Sequence, residues 1–191
     1  MTHPEPHTEP RTEPQPRSQP GTPAEAQHGS RGDLRPPSLD ADEKTTLLAF
    51  LDYLRDAVTA KASGLSEKAV RTAGVPSGTS ILGLVKHLTA VEHNWFTWSY
   101  AGADAALQDD ESGPADDETA VSLLAAYRRA IGQSNEIIRA CDDLGRPGAR
   151  SLRETAPPSM RWVLVHMIEE TARHAGHADI LREQIDGSVG R

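Results

Sequence analysis

Four stretches of this chain repeat large apolar residues at three- and four-residue steps, and no stretch alternates apolar and polar residues as a half-buried strand does. The first runs through Leu47, Leu48, Leu51, Leu54 and Val58, with Asp40 or Asp42 able to cap its start. The second carries Ile81, Leu84, Val85, Leu88, Val91, Trp95 and Phe96 after Thr79 or Ser80. The third holds Val121, Leu124, Tyr127, Ile131, Ile137 and Ile138 and ends near Cys141. The fourth follows Pro157-Pro158, with Ser159 as its cap, and runs to Ile185 ahead of Gly187. Gly64, the run from Gly74 to Gly78, the acidic stretch from Asp104 to Glu118 and the segment from Gly145 to Pro158 break the pattern. Each stripe must be buried against another, so an all-α four-helix bundle is predicted.

The bundle accounts for residues 40–188. Residues 1–39 read differently: nine of the chain's fourteen prolines fall there, and Thr-Glu-Pro recurs at 8–10 and 12–14. So little apolar area cannot offset the entropy of ordering, and a disordered Pro-rich tail is expected. It lacks the apolar centre of a secretory signal. The formal charge of −8 argues against a nucleic-acid partner, because phosphate binding needs a basic surface. No apolar run is long enough to span a bilayer, and a single cysteine, Cys141, allows no internal disulfide framework. A cytoplasmic protein is the expectation.

The fourth stretch also carries His166, Glu170, His174 and His177. At about 100° per residue these four share an arc roughly 80° wide. On that scale Met160, Leu164, Met167, Thr171, Ala178 and Ile185 form the buried stripe. Glu170 and His174 lie nearest it, four residues apart, and His166 and His177 lie further toward its margin. A carboxylate and an imidazole at that spacing can grip one divalent ion, or can hydrogen-bond to each other at the core edge. A metal site needs a further ligand. His87, bordering the apolar arc of the second stretch, is the candidate. Glu92 falls inside the same arc, either as a partner orienting a histidine or as a satisfied polar residue. His93 points away. Arg173 and Arg161 are candidates to contact polar or anionic substrate groups, with solvated helix surface as the simpler account; Cys141 suits buried packing.

Three segments, LLAFLDYLRD, VPSGTSILGLVKHLTAVEHNWF and MRWVLVHMIEETARHAGHADILREQIDG, resemble the DinB-like metal-binding four-helix bundles. The nearest likeness is to an actinobacterial subfamily of unknown function, related to mycothiol-dependent maleylpyruvate isomerase. The resemblance spans residues 41–188 and rests on the second-stretch His and on the closing pattern His174-Ala175-Gly176-His177. It implies His87, Glu170 and His174 as metal ligands. Many members carry His where this chain has Glu170, and the isomerase carries Glu. His177 takes the family's usual Gln position and so becomes a site neighbour. The metal implied is zinc, with nickel, iron or manganese as alternatives. The activity implied is that of a metal-dependent enzyme using a low-molecular-weight thiol such as mycothiol, as S-transferase or isomerase, with the thiol and an electrophile as partners. A metal-dependent hydrolase and a non-catalytic stress-related binding protein are the alternatives. Members of the family often dimerise; Trp95, Trp98 and Trp162 are candidate interface residues, and core packing explains Trp95 equally well.

Overall fold

The computed structural model describes Met1, residues 35–38 and residues 41–189. The expected disordered tail, apart from Met1 and residues 35–38, lies outside the described residues. The described chain is helical: α1 (Glu43–Ala62), α2 (Glu67–Arg71), α3 (Ile81–Glu92), α4 (Ala120–Ala140) and α5 (Met160–Asp186). α3 continues without a break as a wider π-helical segment, His93–Tyr100.

The ends follow the cap residues. Asp42, Ser80 and Ser159 each accept a hydrogen bond from a backbone N–H of the first turn that follows. Thr119 and Ser122 form a reciprocal capping box at the start of α4. Gly187 closes α5 in the left-handed conformation at φ 74°, which glycine adopts without a Cβ penalty. Two features depart from the sequence expectation. α2 is an additional single turn between Gly64 and Gly74, capped by Ser66. The second predicted helix also changes its hydrogen-bond period at His93, a change that nothing in its apolar spacing marks.

The core falls into two apolar clusters. One gathers Val58, Leu84, Leu88, Leu124, Tyr127 and Leu181; the other gathers Leu51, Trp95, Phe96, Ile138, Leu164 and Met167. Beside these apolar residues α1, α3 and α4 also bury three polar ones, Arg55, Glu92 and Asn135. Arg55 donates from Nε and Nη2 to the two oxygens of Glu92, both at 2.7 Å. Its Nη1 donates to Asn135 Oδ1 at 2.7 Å and to Asp52 Oδ1 at 2.8 Å. Burial opposes the charge of Arg55, but the Glu92 carboxylate outweighs it and holds the guanidinium above its usual range. A paired, fully hydrogen-bonded charge is the form in which a core tolerates one.

The long loop between α4 and α5 docks on the π-helical segment. Ser99 and Tyr100 expose backbone carbonyls there, and the N–H groups of Ala149 and Arg150 donate to them at 2.9–3.1 Å. Gly148 permits this approach: a Cβ at that position would meet Tyr100 Cα at 2.8 Å. No helix among the described residues is long and apolar enough to cross a membrane.

Glu92→Leu removes the buried counter-charge of Arg55, leaving only the half-exposed Asp52, and is expected to lower the unfolding free energy by about 3–5 kcal/mol. Adding Arg55→Met to that change should recover most of the loss. Urea denaturation of the single and double variants checks this, and equal losses in both would contradict the pairing.

Candidate metal centre

α3 and α5 bring three predicted residues together. His87 projects from α3, and Glu170 and His174 project from one face of α5. One ligand atom from each lies within 4.8 Å of the others, so the group can hold a metal ion. Glu170 Oε1 is 3.1 Å from His87 Nε2 and 3.1 Å from His174 Nε2. The side chains are 26%, 13% and 16% exposed for His87, Glu170 and His174. That is shielded enough to strengthen electrostatics and open enough to admit a small molecule.

The surroundings orient these atoms. His87 Nδ1 lies 2.7 Å from the carbonyl oxygen of Asp110, which can only accept, so Nδ1 carries the proton. This contact turns the other ring nitrogen, Nε2, toward Glu170. Arg173 donates from Nη1 to Glu170 Oε2 at 3.3 Å, leaving Oε1 to face the histidines, and it also pairs with Glu169. Burial pushes the Glu170 carboxyl up, but its contacts with His87 and His174 outweigh this and hold it below the usual carboxylate range. Burial, aided by the charge of His87, holds His174 below the usual imidazole range. Near neutral pH the site thus presents an ionised carboxylate and a neutral His174, the protonation states that metal ligation requires.

His87 Nε2 and His174 Nε2 both lie 3.1 Å from Glu170 Oε1, so three donor atoms converge on one point. Two imidazole nitrogens with one carboxylate oxygen are ligands that zinc and its neighbours accept, and the residues present fit a divalent ion.

The other predicted residues lie around the triad or apart from it. His177 meets the His174 ring edge-on with centroids 5.3 Å apart, and the two Nδ1 atoms are 3.4 Å apart. His166 packs against both Trp95 and Trp162, with ring centroids 4.7 and 5.1 Å away. Burial keeps its imidazole below the usual range. Glu92 does not orient a histidine: both its oxygens are taken by Arg55, because the buried guanidinium needs a full counter-charge. Arg161 is bound to Glu43 through Nε at 2.6 Å and Nη2 at 3.1 Å. Cys141 is buried, its Sγ 3.2 Å from the Tyr100 hydroxyl. Trp95 is buried in the core, whereas Trp162 is 40% exposed. The Asp110 carbonyl had no signal in the sequence, since every residue type offers one.

Zinc should raise the Tm of wild-type protein and leave His87→Ala, Glu170→Ala and His174→Ala unmoved, while Arg173→Ala should weaken zinc binding by about 10–100-fold. Protonated ligands cannot coordinate, so zinc affinity should fall as pH is lowered from about 7 to about 5. Calorimetric zinc titration across that range reads both effects, and an affinity independent of pH would contradict the ligand assignment.

The family model described as mycothiol-S-transferase matches residues 46–187. None of the curated proteins matches the chain. Among solved structures, a conserved protein from Enterococcus faecalis aligns over 78% of this chain and 100% of its own, with a TM-score of 0.56 and 13% identity. At that identity the likeness shows the bundle fold alone. The family match spans nearly all of the four long helices, and the chain belongs to the mycothiol-S-transferase family of DinB-like bundles.

Proposed function

We propose that residues 40–188 form a metal-dependent thiol S-transferase domain, acting in the cytoplasm, in which His87, Glu170 and His174 bind one divalent ion, preferentially zinc. The observation that carries this reading is the convergence of three donor atoms within 4.8 Å at a partly open position, in a chain of the mycothiol-S-transferase family. Three protein ligands leave a coordination position free, and a divalent ion held there lowers the pKa of a thiol brought to it.

The chain's own groups then have defined tasks. The Asp110 carbonyl fixes the tautomer of His87, and Arg173 fixes the rotamer of Glu170. A cleft of about 310 Å³ beside His87, bounded by Ser77, Thr79 and Ser112, gives a small thiol a route in. His177 stands beside His174 at the exposed edge of the cluster and is placed to take the proton that the thiol releases. The thiolate sulfur attacks the electrophilic carbon. A carbon–sulfur bond forms, and the leaving group departs with the electron pair of the bond that breaks. Mycothiol is the thiol that the family description favours.

With zinc-loaded protein, turnover of an alkylating electrophile should require the thiol. It should fall in His87→Ala and His174→Ala by more than the roughly 10–100-fold typical of losing an outer-sphere partner. Consumption of the electrophile at the same rate without thiol, with water as the acceptor, would overturn thiol transfer in favour of hydrolysis.

A further inference from the structure

One helical turn before Glu170, α5 carries a second group of side chains that the thiol site does not use. Trp95 and Trp162 wall a cleft of about 310 Å³, whose far side is formed by Ser151, Arg153 and Thr155 from the loop between α4 and α5. The indole rings lie 5.2 Å apart at 46°. His166 packs against both, and its ring lies nearly parallel to Trp162 at an interplanar angle of 25°. The walls are therefore flat, aromatic and preset by packing.

Arg153 sets the charge of this cleft. Its guanidinium carbon lies 5.5 Å from the centre of the Trp162 ring. Its side chain makes no salt bridge and no hydrogen bond among the described residues; its neighbour Arg150, by contrast, is spent on the carbonyls of Gly102 and Ala103. An Arg held over an aromatic face with its donors free is a preformed receptor for a planar anion such as a carboxylate. The hydroxyls of Ser151 and Thr155, 3.3 Å apart, add further hydrogen-bonding groups at the same rim.

Position links the cleft to the chemistry. His166 and Glu170 are four residues apart on one face, a rise of about 6 Å. A molecule lying between the tryptophan wall and the α4–α5 loop, with its charge on Arg153, can present its other end toward the triad.

We infer that the Trp95–Trp162 cleft is the electrophile subsite and that it selects planar aromatic substrates bearing an anionic group, which Arg153 receives. This rests on the thiol-transfer reading for the identity of the ligand as an electrophile, but not for its binding. In the matching reaction, a thiolate displaces chloride from 4-chloro-3-nitrobenzoate: the carbon–sulfur bond forms and chloride leaves with the electron pair of the carbon–chlorine bond.

The test separates binding from turnover. Calorimetric titration of the zinc-loaded protein with 4-nitrobenzoate and with neutral 4-nitrobenzamide should show the anion bound about tenfold more tightly. Arg153→Ala should abolish that preference, and Trp162→Ala should weaken both ligands. Arg153 is exposed in a loop, so its replacement does not bear on folding. In turnover with thiol, Arg153→Ala should raise KM for 4-chloro-3-nitrobenzoate about tenfold and leave that for 4-chloro-3-nitrobenzamide unchanged. Equal binding of acid and amide by the wild type, an unchanged preference in Arg153→Ala, or displacement of 4-nitrobenzoate by the thiol itself would each overturn the subsite. Anion-selective binding that depends on Arg153, without any turnover, would uphold the cleft and overturn only the thiol-transfer reading.

Discussion

The Arg55–Glu92 pair is the constraint around which this bundle is organised. It crosses from α1 to α3 in the middle of the core, with Asn135 of α4 closing the third side. A buried guanidinium cannot be left unmatched, so these helices have one register in which its donors are filled. Apolar contacts alone tolerate sliding; a two-point ion pair does not. The apolar clusters then pack against a fixed reference. α5 completes the bundle chiefly against α1, and its polar face is thereby presented to α3 at the level where His87 waits.

Much of this was legible in the sequence, and the unread parts share a cause. The four long helices follow from apolar periodicity and from the caps at Asp42, Ser80 and Ser159, which act within a few residues of themselves. The inward bias of Glu170 and His174 follows from their angle on α5. His87 could be nominated because it borders the apolar arc of its own helix. Glu92 stayed open between orienting a histidine and being a satisfied polar residue, because a carboxylate on a buried arc shows that a partner exists but not which one; the partner, Arg55, lies 37 residues away on another helix, and the satisfied-polar reading holds. Arg173 was visible as a nearby charge, yet its bond to Glu170 depends on side-chain placement. The π-helical segment and the docking of the α4–α5 loop on its carbonyls have no local code, apart from the glycine at 148.

The change of period at His93 bears on the site in a concrete way. A π-helix widens the backbone and shifts the faces of the residues that follow. Trp95 is consequently buried against α5, where it meets Trp162 and His166. The same segment ends in the carbonyls that anchor the loop carrying Arg153. One irregularity in α3 therefore shapes both the aromatic walls and the placement of the charged rim, and it lies one to two turns beyond His87 along the same rod.

His87 is steadied by a main-chain oxygen rather than a side chain. A carbonyl is present whatever amino acid occupies position 110, so the acidic loop between α3 and α4 can drift in composition without releasing the imidazole. What it cannot readily change is its path. The path itself is held from α3's continuation: Asn94 both donates to and accepts from the backbone of Gln108, two residues before the oxygen that His87 meets. The orientation of this imidazole is thus written in the course of a main chain, and a comparison that scores only the identities of the candidate ligands would miss it.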